Sequence, residues 1–396
     1  MPLAASAKLL AQERWSSKNF LKPLQQAESG TKDAAPVSGD CFFVEPKTTS
    51  KSLQMRILDP IHDPGWDAVV ALHRDAGCFH TSAWAKVLHQ TYNHRPFYLQ
   101  FSRGRRLAAL IPLMEVRSPF TGLRGVCLPF SDACEPLVFD PEAVGLVRDR
   151  LIRFAQERRW KHLEIRGGKS FPLAPSSSAK FYGHTLHLRS GAEELTSRFG
   201  SPIRRAIRKA NKSGLTVEVS SSRKAMLDFY SLHVRTRRRH GLPPQPLPFF
   251  LNIDEKIMKA DLGFVILAKN RTRPIAAAVF FYSGETALFK FGASDERSHE
   301  FRGNNLVMWE GIKRLCEKGV RTLHFGRTAH DNDGLRRFKL GWGTIQEEID
   351  YYKFDIGAEA CKTDTRNRLG FHNNIFRRSP LVLNRFAGTV IYPHLD

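Results

Sequence analysis

A chain of 396 residues that is 42 % hydrophobic and 25 % charged has apolar surface for roughly two or three cored domains, which excludes a small disulfide-stapled scaffold. Lysine and arginine outnumber aspartate and glutamate 61 to 39, and the net charge of +22 favours phosphate-bearing partners: a nucleotide, RNA or an anionic lipid surface. The longest apolar runs, Leu107 to Met114 and Ile275 to Tyr282, fall far short of the roughly 18 residues of a spanning helix, and no apolar signal-like stretch follows Met1. The six cysteines lie at neither zinc-site nor disulfide spacing, so no metal is expected and a reducing cytoplasm fits best.

Residues 1–54 are rich in Ala, Ser, Lys, Gln and Thr and read as a flexible extension. From Met55 the pattern becomes regular. A helix over Ala83 to Tyr92 precedes a strand Pro96 to Phe101, a polar turn at Arg103–Arg106 and a strand Leu107 to Val116, which together form a hairpin. A strand Gly125 to Phe130 follows. Val144, Val147, Leu151, Phe154 and Ala155 then recur at helical spacing before a strand Lys161 to Arg166. Ser170 to Ser178 reads as a loop.

The basic stretch Ser201 to Leu215 is helical, with Ile203, Ala206, Ile207 and Ala210 on one face and Arg204, Arg205, Arg208, Lys209 and Lys212 on the others. It is either a phosphate-binding ridge or a solvated face. The earlier order then returns: strand Gly263 to Ala268, strand Ile275 to Tyr282, strand Ala287 to Gly292, helix Asn305 to Lys318, strand Thr322 to Gly326. Hairpin, strand, helix and strand thus occur twice, which predicts a tandem duplication of a mixed α/β domain over residues 55–189 and 190–356. Residues 357–396 form a basic amphipathic tail, with Arg366, Arg368, Arg377, Arg378 and Arg385 among Phe371, Ile375, Phe376, Leu381, Leu383 and Phe386.

Two places invite chemistry. At Phe301-Arg-Gly-Asn-Asn305 a strand gives way to a helix whose opening amides and dipole suit a pyrophosphate. Gly303 admits close approach, Arg302 adds charge, and the alternative is a plain helix cap. At Phe325 to Asp333 a buried strand ends in a polar loop, where Arg327 suits an anion and His330 or Asp331 a proton, unless the loop is only a loop. His233, His299 and His324 are uninformative singly. Hydrolase-elbow, zincin and phosphate-loop motifs are lacking in the sequence.

The repeated unit, Phe79-His-Thr-Ser-Ala-Trp84, Leu128-Pro-Phe-Ser-Asp132, the basic run Arg204 to Gly214, and Gly326-Arg327 followed by Arg337-Phe-Lys-Leu-Gly-Trp342 occur in an order that resembles the FemAB-type proteins. These consist of two tandem GNAT (N-acetyltransferase) folds. The resemblance implies an acyltransferase that moves an acyl or aminoacyl group from acyl-CoA or aminoacyl-tRNA to an amine, on a cell-envelope or polysaccharide precursor, with no covalently bound cofactor. It implies donor phosphates at Arg302, Gly303, Asn304 and Asn305, and a catalytic group of Arg327, Lys339 and Asp331 as base. Substrate contacts are expected from Trp84, Asp132, Arg204 and Arg208. Arg302-Gly-Asn-Asn-Leu lacks the second glycine of the usual GNAT phosphate motif, and no sustained heptads mark a tRNA-associated arm, so neither donor is selected. Expected partners are the donor, the amine, tRNA and an anionic membrane at the cytoplasmic face, but not DNA. The alternative is a non-catalytic RNA- or membrane-surface-binding protein.

Overall fold

The computed structural model describes residues 52–189, 191–362 and 370–395. The first half runs β1 (Leu53–Leu58), α1 (Trp66–Val70), α2 (Ser82–Tyr92), β2 (Arg95–Pro96), β3 (Tyr98–Arg103), β4 (Arg106–Ile111), β5 (Met114–Ser118), β6 (Gly122–Cys127), β7 (Leu137–Val138), α3 (Val144–Glu157) and β8 (His162–Arg166). The second begins with β9 (Ala179–His187), α4 (Gly191–Arg198), α5 (Ser201–Lys212), β10 (Thr216–Ser220), α6 (Arg223–Arg239) and α7 (Leu247–Ile253). It continues with β11 (Gly263–Asn270), β12 (Arg273–Ser283), β13 (Thr286–Ser294), α8 (Gly303–Glu317), β14 (Thr322–His324), α9 (Asp333–Leu340) and β15 (Ile345–Asp355). The tail holds β16 (Ala360–Cys361), α10 (Gly370–Arg378) and α11 (Leu381–Ile391).

Local signals start and stop these elements as expected. The stripe Val147, Leu151, Phe154 and Ala155 is buried along α3, and the Ser222 hydroxyl caps α6 by accepting the Ala225 amide at 3.2 Å. The expected extension 1–54 lies outside the described residues up to 51, but Leu53 and Gln54 already pair with Arg103 and Ser102 as part of β1. The expected strand Leu107 to Val116 is two. Pro112 has no amide to donate, and β4 and β5 on either side of it fall in different sheets. Its counterpart in the second half, β12, stays continuous and takes its bend through an irregularity between Val279 and Phe280.

Both halves place a strand parallel to its neighbour after a helical crossover: β6 with β8 through α3, and β13 with β14 through α8. Beyond that point they exchange strands. β9 follows β8 in sequence but pairs antiparallel with β14, and β15 follows β14 but pairs antiparallel with β8. The two exchanged strands pair with each other, Ala179 to Thr185 against Tyr351 to Ile345. One sheet therefore runs β10-β11-β12-β13-β14-β9-β15-β8-β6-β5-β2, with β16 on β15. The boundary expected at 189/190 assigns β9 to a half whose sheet it does not complete.

Apolar side chains fill two clusters. The larger joins both halves and holds Trp84, Phe97, Leu128, Phe249 and Phe281. The smaller lies under α4, α5 and α8, with Phe199, Ile203, Ile207, Leu306, Ile312 and Trp342.

Candidate active site

β13 and β14 pair only over Thr286–Leu288 and Thr322–His324, after which β14 ends and the chain leaves as the loop 325–332. Against this strand end the first half contributes the loops 73–80 and 132–137. The cleft between them is about 460 Å³, with Cys78, Phe79, His80, Asp132, Glu135, Thr185, His324, Glu347 and Glu348 among its walls.

Asp132 is the residue on which both halves converge. Lys290 of β13 donates to its Oδ2 at 2.9 Å and to the Phe130 carbonyl at 2.6 Å. The Tyr351 hydroxyl of β15 donates to its backbone carbonyl at 2.6 Å, and Arg166 of β8 donates to the carbonyls of Leu128 and Ser131. The Leu128–Asp132 turn is thus pinned from three strands, with Phe130 in the left-handed region at φ 59°. Gly326 lies against the same carboxylate at φ 71°, where a Cβ would sit 3.1 Å from Oδ1, so this turn requires glycine. Burial by itself would raise the Asp132 carboxyl, but the Lys290 ammonium outweighs it, and Asp132 is held down at about 2. Lys290 also lies over the rings of Phe79 and Phe291, 5.0 and 5.3 Å from their centroids.

His324 ends β14 in the cleft. Its Nδ1 accepts the Gly326 amide at 3.0 Å, and burial pushes its pKa down, so the neutral ring carries its proton on Nε2 and offers a donor there. Glu135, in the facing wall, is raised by burial. Lys339 is expected in the catalytic group, but the structure buries it. Its Nζ donates to the carbonyls of Gly326 and Arg327 at 2.9 and 3.0 Å, and burial lowers it to about 8. It holds the 326–327 turn rather than a ligand. Arg327 donates its amide toward Asp132 Oδ1 at 3.5 Å, and its guanidinium lies 4.5 Å from the Phe181 ring centroid and 5.0 Å from that of Tyr351.

A second cavity, about 210 Å³, opens at the start of α8 and is lined by Ser294, Asp295, His299, Arg302, Gly303, Asn304 and Asn305. Arg302 caps the helix in the left-handed region at φ 57°, without a side-chain cap bond. The Asn305 amide is taken up by the Arg302 carbonyl at 3.0 Å, and the Gly303 and Asn304 amides ahead of it lie at the dipole end that favours an anion. Asn304 Nδ2 donates to Ser294 Oγ at 3.2 Å, and the Asp295 carboxylate is paired with Arg273. Gly303 is already helical and buried, and its added Cβ would meet that of Ala276 at 3.0 Å. Its glycine lets α8 approach β12, a packing role beside its place in the wall of this cavity.

The remaining expected residues do not join the cleft. Asp331 is exposed in the loop beyond β14 and lines neither cavity. Trp84 is fully buried among Phe79, Phe249 and Phe281 and is a core residue. Arg204 and Arg208 lie on α5, whose Ile203 and Ile207 face the smaller core. Arg204 donates to the Ser197 carbonyl at 3.3 Å, Arg208 is exposed, and neither borders the cleft. Sequence reasoning missed Lys290, Tyr351 and Arg166. A lysine inside the otherwise apolar strand Ala287 to Gly292 was the available signal. Among the described residues, no three His, Cys, Asp or Glu side chains gather as a metal site would require.

Residues 197–351 match the model of the acetyltransferase (GNAT) domain. Lipid II:glycine glycyltransferases are similar in sequence: that of Staphylococcus epidermidis is 29 % identical over 115 residues, 26 % of this chain and 28 % of the relative. That of Staphylococcus aureus is 29 % identical over 87 residues, 20 % and 21 % of the two chains. The matches thus span about a quarter of the relatives' length. Among solved structures FemX superposes with a TM-score of 0.61 at 16 % identity, covering 75 % of this chain and 96 % of FemX. L-PGS from Bacillus licheniformis gives 0.51 at 12 % identity, covering 84 % and 98 %. Residues 197–351 are thus a GNAT domain, and the chain shares the fold of FemX and L-PGS over most of its length. The likeness to lipid II:glycine glycyltransferases is one of sequence over about a quarter of the chain, and that to FemX is one of fold over three quarters of it.

Proposed function

We propose that this protein is an N-acyltransferase that moves an acyl or aminoacyl group from an activated, phosphate-bearing donor to an amine bound in the cleft between its halves. One observation carries the reading. In a chain of net charge +22, the cleft at the end of β14 has Asp75, Asp132, Glu135, Glu347 and Glu348 among its walls. Arg74 and Lys169 also border it, and Asp75, Asp132 and Glu348 are paired with Arg74, Lys290 and Lys180, which leaves Glu135 and Glu347 as the carboxylates that favour an ammonium group and so an amine acceptor. The donor's phosphates are assigned to the start of α8, with Arg302, Asn304 and Asn305 around them.

In the transfer, the neutral amine attacks the donor's carbonyl, the C–S or C–O bond to the donor breaks, and the proton then lost by the nitrogen passes to the departing thiolate or alkoxide, which leaves as the thiol or hydroxyl. Glu135, made more basic by burial, takes the proton from the incoming ammonium. His324 Nε2–H donates to the carbonyl oxygen as negative charge develops there. Asp132, locked to Lys290, keeps its charge and orients the amine. No covalent intermediate on the protein is required. The sequence similarity to glycyltransferases supports an aminoacyl group, and a GNAT domain is compatible with acyl-CoA. An acceptor on a cell-envelope precursor is the corresponding proposal for the amine.

The test is thermal melting of the full chain with acetyl-CoA, longer acyl-CoAs and aminoacyl-tRNA in turn, followed by mass spectrometry of an amine acceptor incubated with whichever donor raises the melting temperature. A donor-dependent rise and a mass increase equal to the acyl group are expected. No rise with any donor and no acylated product sinks the reading.

A further inference from the structure

The helix α11 is apolar on its outward side as well as toward the core, against which Leu381 packs. Asn384 and Gly388 face inward and are buried, whereas Val382, Leu383, Phe386 and Val390 are 75, 58, 68 and 50 % exposed. At 100° per residue these four side chains fall within one stripe about 100° wide. A water-facing helix ordinarily shows the opposite pattern. The helix is firmly seated. Asn384 Nδ2 donates to the Phe376 carbonyl at 2.8 Å, and the Tyr392 hydroxyl beyond its end receives Arg237 Nη2 at 2.9 Å. Ile375, on α10, is likewise 53 % exposed.

The rim of this surface is cationic. Arg377, Arg378 and Arg385 are exposed around it, and the sequence has no Asp or Glu between positions 366 and 395. Beside the stripe lies a groove of about 390 Å³, bordered by Tyr230, Leu247, Val382, Arg385 and Phe386, with the Arg385 guanidinium 5.7 Å from the Tyr230 ring centroid. Such a groove offers a charged edge for a phosphate headgroup and an apolar floor for the chain below it.

We propose that α11 and the end of α10 dock this protein onto an anionic lipid bilayer, with the Val382, Leu383, Phe386 and Val390 stripe in the interface and Arg377, Arg378 and Arg385 on the headgroup phosphates. Aliphatic side chains ringed by arginine are the pattern of a helix lying in the membrane surface. RNA would call for aromatic stacking, and the stripe has a single aromatic ring. Among the described residues no helix is long and apolar enough to cross a membrane, so the contact is peripheral.

The experiment is co-sedimentation of the full chain, without any acyl donor, with phosphatidylcholine vesicles and with vesicles containing about one-third phosphatidylglycerol, at roughly physiological ionic strength where the Debye length is about 8 Å. Binding to the anionic vesicles is expected, and Val382→Ser with Phe386→Ser should lower the partition coefficient about tenfold or more. Both positions are exposed, so an unchanged melting temperature checks that the variant is folded. Arg377→Gln, Arg378→Gln and Arg385→Gln together should abolish the preference for phosphatidylglycerol. No co-sedimentation with anionic vesicles, or equal binding by the serine variant, overturns the proposal. It is equally overturned if light scattering finds a dimer that the serine variant dissociates, or if cross-linking finds residues 1–50 on the stripe in chain that binds no vesicles. None of these outcomes depends on whether the cleft transfers acyl groups.

Discussion

Asp132 and Lys290 are a pair whose worth depends on both members being present. The Lys290 side chain is 7 % exposed and that of Asp132 22 %, so removing the ammonium leaves a carboxylate largely cut off from water. Lys290→Met should cost roughly 3 kcal/mol in urea unfolding, and Lys290→Met with Asp132→Asn less than the sum of the single changes, because breaking a buried pair is worse than deleting it. The pH dependence has a definite sign. A carboxyl held at about 2 against an ordinary 3.8 contributes stability that is fully present above the ordinary value and disappears as the pH falls through about 2. In Lys290→Met the opposing effect of burial is left, so acid unfolding should begin at higher pH than in the wild type. Lys339 has the other sign. It is lowered from 10.5 to about 8, so between those values the unfolded chain binds more protons and this group's contribution rises with pH. Lys339→Met should flatten that rise, as read from unfolding free energies at pH 8 and 10. An unaltered profile would remove Lys339 as its source.

α8 carries both a candidate anion site and a packing constraint, and Gly303 separates the two. Because its Cβ position is 3.0 Å from the Ala276 side chain, Gly303→Val should destabilise the protein by about 1–3 kcal/mol through overpacking. Arg302→Ala should leave the fold intact and weaken donor binding instead. Calorimetric titration of the two folded variants distinguishes these effects, and full donor affinity in Arg302→Ala would detach the start of α8 from donor binding. On α5 the apolar face is accounted for by Ile203 and Ile207 in the smaller core, whereas Arg204, Arg205 and Arg208 lie on the other sides. Replacing the three with Gln should leave the melting temperature within a few degrees, since exposed charges contribute little to stability. If α5 helps to attract the donor, the same variant should lose part of the salt dependence of donor binding. An unchanged salt slope would make it a solvated face.

The exchange of β9 and β15 makes the two repeats one folding body. A chain cut between 189 and 190 separates β9 from β14 and leaves β8 without β15, so each piece would expose an unpaired strand edge within its sheet. Residues 190–356 expressed alone should be insoluble or molten, and the full chain should unfold in denaturant with both halves together. Two separated transitions, one for each repeat, would contradict this. The same exchange explains why the cleft forms where it does. Tyr351 arrives on β15 from the second half to fix a turn of the first, while Lys290 reaches the same turn from β13.

The repeat was legible in the sequence because its signals are local. Val147 to Ala155 bury one helical face of α3, Leu306 to Leu315 are buried around most of α8, hairpin turns punctuate apolar strands, and a helix start after Phe301 follows from the chain's own pattern. The basic helix α5 was legible for the same reason, while Arg366 and Arg368 of the expected tail lie outside the described residues. Pairing partners were not, because strand register and exchange are set by contacts distant in sequence. Nothing near Ala179 or Ile345 says which half's edge it completes. Nor could sequence separate Asp132, brought to Lys290 across 158 positions, from Asp331, left in solvent by a loop. The fate of Trp84 and Lys339, both buried, was decided likewise, since burial is a property of the packed molecule while composition and periodicity belong to the chain.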